Sequence, residues 1–180
     1  MPPALERFGL LWLPAAVLAD AENYLTQAVA LEPSCWMAWN VPGAIADLLS
    51  RFDEARENFE RALAILPGRP KVLAGLGWSR LLTDDLEETE RLLRSAVELA
   101  PDSVTTQSNL AFCIALQGRY EEAIALYEVW DDRSVAANSV GYAARLRNDH
   151  SAARKYLSMV LELQPNYYRK AANDLAGIDP

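Results

Sequence analysis

Apolar residues recur at three- and four-residue spacing over most of the chain, which is the pattern of helices that bury one face. In residues 104–133, Leu110 and Ile114 share one helix face, and Ala123 and Tyr127 share another. Short polar breaks separate such stretches, so the pattern predicts an all-α chain of paired helices. First helices are predicted near 4–13, 37–49, 71–82, 104–116 and 135–146, second helices near 19–31, 53–65, 86–99, 120–130 and 150–163, and a final helix over 167–176.

The helix pairs repeat with a period of 34 residues. The residues that mark this period are Pro33, Pro67 and Pro101 together with Gly9, Gly43 and Gly77. Each proline follows a second helix, where its missing N–H prevents the helix from continuing. A fixed period of this length is typical of stacked pairs of antiparallel helices.

Two irregularities interrupt the repeat. The intervals from Pro101 to Pro165 and from Gly77 to Gly141 are 64 residues rather than 68, so four residues are missing. Because the phase still holds at Ala123, the deletion is predicted near 131–134, where it would shorten the connection into the last repeat. Pro42 lies inside a predicted first helix, which we expect it to kink or restart.

Aligned on its markers, the chain divides into segments 2–35, 36–69, 70–103, 104–133 and 134–167, followed by a cap over 168–180. The second segment carries Trp39, Gly43, Ala55, Phe59 and Pro67 at characteristic places. This pattern resembles the tetratricopeptide repeat (TPR) family. The resemblance implies a single solenoid domain over 1–180, a right-handed α-α superhelix of about five helix pairs plus a C-terminal capping helix. It also implies a non-catalytic scaffold for protein–protein interaction.

In that family the first helices line a concave surface, so the resemblance also implies a binding groove. The ninth residue of three successive repeats is aromatic here, namely Trp78, Phe112 and Tyr142. Further groove positions carry Asn40, Asp47, Lys71, Ser108, Asn109, Asn138, Ser139 and Arg145. Aromatic rings flanked by amides suit a peptide or helix of a partner protein. The alternative is that the rings pack within or between repeats. The family's carboxylate clamp is not expected, because only Lys71 and Asn109 match it by type.

Charge and chemistry narrow the class of partner. The net charge of −8 argues against nucleic acid and fits either a solvated surface or a basic partner. The single histidine, His150, is expected at a turn, and no Cys/His cluster or phosphate-binding glycine loop is present in the sequence. We therefore expect no enzyme activity, no cofactor and no metal. Cys35 and Cys113 are expected to be free thiols, and a homo-oligomer built by stacking of solenoid ends is compatible with the pattern.

The cellular location stays open. Gly9–Ala19 has the length of a signal-peptide core, but the markers around it keep the repeat phase, which favours a first repeat. No membrane span is predicted. A weaker resemblance, carried by Ala136-Ala137-Asn138 and Gly141-Tyr142, is to the TPR lipoproteins of tight-adherence (Tad/Flp) pilus systems. It implies a periplasmic, pilotin-like accessory protein that assists secretin assembly. The alternative is a general adaptor, for which a cytoplasmic location is expected.

Overall fold

The computed structural model describes residues 29–164 and, outside that range, residues 24, 27, 176 and 177. The helices are α1 (Trp36–Leu48), α2 (Phe52–Ile65), α3 (Pro70–Leu82), α4 (Leu86–Leu99), α5 (Val104–Leu116), α6 (Tyr120–Tyr127), α7 (Arg133–Leu146) and α8 (His150–Leu163). These bounds agree with the predicted helices to within three residues, and no strand occurs in this part of the chain. The all-α fold class is confirmed. The predicted helices over 4–13 and 167–176 and the stretch Gly9–Ala19 lie outside the described residues, apart from Ala176.

The chain forms two compact units, Met1–Asp102 (the N-terminal unit) and Ser103–Pro180 (the C-terminal unit), and each is described by itself. Their boundary lies within one residue of the predicted junction between the third and fourth repeats.

Contacts in the N-terminal unit show the helix-pair arrangement. Gly43 of α1 lies against Phe59 of α2, and Arg61 lies over the Trp39 ring at 4.6 Å, so the two helices run in opposite directions. Asp47 of α1 contacts Ser79 at the corresponding end of α3, so the two first helices run in the same direction.

Phe59 forms the centre of the N-terminal core. It is 1% exposed, and a Cβ added at Gly43 or Gly75 would lie 3.0 or 2.7 Å from its ring. Glycine at both places therefore lets α1 and α3 approach the same side chain. Two of the periodic glycines, Gly43 and Gly77, thus have a steric origin, since a Cβ at Gly77 would lie 3.1 Å from Leu93 Cγ.

Small residues make up a large share of the core of the C-terminal unit. Eight described alanines there are fully buried: Ala111, Ala115, Ala123, Ala136, Ala137, Ala143, Ala144 and Ala153. A Cβ added at Gly141 would lie 2.8 Å from Leu157 Cγ and 3.2 Å from the Leu157 backbone nitrogen. Helices α7 and α8 are therefore in close backbone contact, which leaves little room for adjustment.

The connections between paired helices share one backbone conformation. Their second residues, Ser50, Asp84, Gly118 and Asn148, have φ values of 58°, 63°, 86° and 61°. Such a left-handed residue turns the chain sharply after a helix and is best tolerated by Gly, Asn and Asp. The polar breaks in the sequence mark these turns.

The position of the missing residues differs from the prediction. Helix α6 has 8 residues, whereas α2, α4 and α8 have 14. The connection that follows, residues 128–132, is no shorter than its counterparts at 66–69 and 100–103. The repeat is therefore shortened at the end of its second helix and not in the connection. Asp132 accepts from the backbone nitrogens of Ser134 and Val135 and so caps α7, which begins earlier than predicted.

Pro42 does not restart its helix, since α1 continues through it from Trp36 to Leu48. One backbone hydrogen bond is lost at this point. The buried face of α1, which includes Ala38 and Ala46, continues on both sides of the proline and holds the helix together.

Candidate functional site

In the C-terminal unit, two of the three predicted aromatic residues form a stacked pair. The rings of Phe112 on α5 and Tyr142 on α7 have centroids 6.3 Å apart and planes inclined by 16°. The Arg145 guanidinium lies 5.4 Å from the Tyr142 ring. Both aromatic side chains are half-buried, so each keeps surface for further contact. This arrangement is an apolar platform with a cation at one side.

The polar residues predicted for the groove in this unit are accessible. Ser108, Asn109 and Asn138 are half-buried, and Arg145 is exposed. Ser139 is hydrogen-bonded to Tyr127, whose pKa is raised to about 12 because burial disfavours its charged form. Part of the hydrogen-bonding capacity of Ser139 is therefore used within the fold.

In the N-terminal unit, Trp78 is half-buried and Lys71 is exposed, whereas Asn40 and Asp47 are buried. The exposure that the family pattern implies for Asn40 and Asp47 is therefore absent, because their side chains point into the helix packing. Asn40 is 6% exposed, and its Oδ1 has no hydrogen-bond partner among the described residues.

Among the described acids of this unit, Asp47 has the pKa that departs most from its ordinary value. It is 4% exposed, and the Ser79 hydroxyl donates to its Oδ1 at 2.8 Å. Burial raises the pKa of the Asp47 carboxyl to about 7, against the opposing effect of the Ser79 hydrogen bond. Such a carboxyl is partly protonated at neutral pH.

A cavity of about 230 Å³ lies beside Asp47, between α1, α2 and α3. Apolar side chains line it apart from Asp47, including those of Leu48, Phe59 and Leu82, and Trp78 contributes its ring. Sequence reasoning missed Ser79 and Phe59 as members of this site. The relevant signal was the pair of glycines, Gly43 and Gly75, that face one phenylalanine.

The described residues contain no group of three or more His, Cys, Asp and Glu side chains placed to bind a metal ion. His150 is exposed at the first position of α8. Cys35 is half-buried and Cys113 is buried, and both are free thiols. Within the part of the chain that the structure covers, no helix has the length and apolar character needed to cross a membrane.

Comparison with known proteins identifies the repeat. Two models of the tetratricopeptide repeat match residues 18–70 and 48–102. A TPR repeat-containing protein of Pseudomonas aeruginosa is 37% identical over 86 residues, which is 47% of this chain and 15% of that protein. This chain therefore spans less than a sixth of that relative's length.

Solved structures share the fold at low sequence identity. PilW, described as a widely conserved type IV pilus biogenesis factor, gives a TM-score of 0.69 at 20% identity over 96% of this chain and 83% of its own. YrrB, described as a TPR protein with an unusual peptide-binding site, gives 0.63 at 20% identity over 88% and 84%.

Proposed function

Because this chain is a tetratricopeptide-repeat protein, we propose that it is a non-catalytic scaffold whose first helices bind a linear segment of a partner protein. A protein-interaction scaffold is what the TPR fold supports. The residues proposed for partner binding are Trp78 and Lys71 in the N-terminal unit and Phe112, Tyr142, Ser108, Asn109, Asn138 and Arg145 in the C-terminal unit. Asn40 and Asp47, which the family pattern also indicates, are buried.

The observation that carries the proposal is the Phe112–Tyr142 stack. Half-buried rings 6.3 Å apart on two parallel first helices give a flat apolar surface. The amides of Asn109 and Asn138 belong to the same two helices and suit the backbone of an extended ligand. Aromatic anchors with adjacent polar groups are the usual energetic centre of protein interfaces.

The first experiment selects random linear peptides on the full chain and measures their affinity. We expect Trp78→Ala combined with Phe112→Ala to weaken the selected peptides at least about tenfold, or about 1.4 kcal/mol, with helical content near wild type. The matched control is Leu99→Ala with Leu163→Ala, which truncates two apolar residues that are 55% and 49% exposed on second helices.

The two double variants separate the groove from general apolar adhesion. Equal losses in both would show that the peptides adhere to exposed apolar side chains in general, and the proposed binding residues would be abandoned. A selection that returns no peptide would contradict the scaffold proposal itself.

The alternative is a periplasmic accessory protein of a Tad/Flp pilus that assists a secretin. Its sequence support is the run Ala136-Ala137-Asn138 and the Gly141-Tyr142 pair. The likeness to PilW concerns the fold alone. Ala136 and Ala137 are fully buried and Gly141 lies against Leu157, so close packing already requires the small residues of this motif. Secretin and pilus-ATPase genes beside the coding sequence would favour this alternative, and their absence would count against it.

A further inference from the structure

The cavity beside Asp47 exists because the N-terminal unit has a small residue where the C-terminal unit has a ring. The repeat register equates Ala44 with Phe112 and Trp78 with Tyr142. Phe112 stacks on Tyr142, whereas Ala44 and Trp78 line the cavity of about 230 Å³. One position thus decides between a filled platform and an open pocket.

The same register shows that the acid in the pocket is not required by the fold. Asp47 and Ser79 correspond to Ala115 and Ala143, which are both fully buried. The C-terminal unit therefore packs the equivalent place with methyl groups. In the N-terminal unit one oxygen of Asp47 accepts from Ser79, and the other accepts from no described residue. This second oxygen is available to a ligand.

On the basis of the proposed scaffold function, we propose that this cavity receives the side chain of an arginine or lysine from the bound segment. The cationic head pairs with the Asp47 carboxylate, and the apolar stem lies along Phe59 and Leu82. Basic side chains combine such stems with a charged end, and a guanidinium also stacks on an indole such as that of Trp78.

The size and charge of the site favour this occupant. A cavity of about 230 Å³ is smaller than the roughly 300–1,000 Å³ typical of small-molecule sites, so it suits one side chain. The net charge of −8 attracts basic segments at long range. An apolar side chain would cover Asp47 without a counter-charge, which is costly. Asp47 is already largely shielded from water in the folded protein, so the main desolvation cost of binding is that of the incoming cation.

The pocket is tested directly with Nα-acetyl-arginine methylamide on the full chain. The readout is the indole N–H resonance of Trp78, assigned with Trp78→Phe. We expect this probe to shift the resonance. Its neutral citrulline counterpart is expected to bind at least about tenfold more weakly. The peptides selected for the proposed function are then resynthesised with citrulline or acetyl-lysine at each basic position, and one position is expected to lose at least about tenfold.

Three variants locate the effect. Asp47→Asn removes the charge while keeping an acceptor for Ser79, and Ala44→Phe fills the cavity as Phe112 does in the other unit. Both variants are expected to lose binding of the capped arginine and the preference for peptides that carry a basic residue. Asp53→Asn is the control, because it changes net charge equally at a side chain that is 88% exposed. Circular dichroism verifies that each variant is folded.

The outcomes distinguish the pocket from the scaffold. If peptides bind but Asp47→Asn and Asp53→Asn weaken them equally, the effect is general electrostatics, and the pocket inference is overturned while the scaffold stands. If no peptide is selected but capped arginine shifts Trp78, the cation pocket stands and the scaffold proposal fails. If the selected peptides carry no basic residue and capped arginine does not bind, the pocket inference is overturned.

Discussion

The two units share one repeat register, but the side chains at equivalent buried positions differ. The C-terminal unit is packed tightly, with alanines at the helix contacts and Gly141 against Leu157. The N-terminal unit keeps a cavity and a buried carboxyl at Asp47 in the equivalent region. The difference teaches that the repeat fixes where helices lie, whereas a few side chains at fixed repeat positions decide whether a site is closed or open.

The largest expected effect concerns two glycine substitutions. Gly141→Ala should lower the free energy of unfolding by about 2–3 kcal/mol, because the new methyl group meets Leu157 and its backbone nitrogen. Gly75→Ala should cost less than about 1 kcal/mol, because its methyl group meets only the Phe59 ring, which has a cavity beside it. Urea unfolding followed by circular dichroism measures both. Equal costs would show that the two units are packed alike.

The next effect is the pH dependence that Asp47 confers. Its folded-state pKa is about 7, whereas an unfolded aspartate titrates near 4. The folded form therefore binds the extra proton between these values, and its stabilising contribution is lost as pH rises through 7. As pH rises from 5 to 8, we expect the titration of Asp47 to lower the free energy of unfolding of the wild-type protein by about 2 kcal/mol. Asp47→Asn should abolish this decrease.

Urea midpoints measured across this pH range test the assignment. Asp53→Asn again serves as the control, because it removes a carboxyl from a side chain that is 88% exposed. A wild-type pH profile that Asp47→Asn does not alter would mean that the carboxyl titrates normally.

The smallest expected effect compares the caps of two equivalent second helices. Asp149 accepts from the Ala152 backbone nitrogen and from the Tyr120 hydroxyl at 3.0 Å each, whereas Asp85 accepts from the Glu88 backbone nitrogen at 3.4 Å. Asp149→Ala should therefore cost about 1 kcal/mol and Asp85→Ala about half of that. Hydrogen exchange of the first-turn amides of α8 and α4 measures each cap. The reverse order would contradict this ranking.

Much of the fold follows from local patterns in the sequence. Helical periodicity and the proline and glycine spacing locate α1 to α8, because each helix pair is formed mainly by contacts between neighbouring segments. The end of α6 at Tyr127 did not follow, since periodicity alone cannot show that Asp132 starts the next helix early.

The candidate site was only partly predictable. The register placed Phe112 and Tyr142 at equivalent positions, and the structure brings them together. The register did not predict that Asp47 is buried and accepts a hydrogen bond from Ser79, since Ser79 lies 32 residues away on another helix. The cavity arises from the absence of bulk at Ala44, which becomes apparent only when neighbouring side chains are placed in three dimensions.

The short helix α6 also has a consequence for how such a chain evolves. Most second helices described here are 14 residues long, so a duplicated or exchanged repeat would fit its neighbours without adjustment. A 14-residue copy inserted at α6 would displace the start of α7 and its Asp132 cap. The segment 104–133 therefore differs from the others in how it joins the next repeat, and exchanging it for one of them would require a new start for α7.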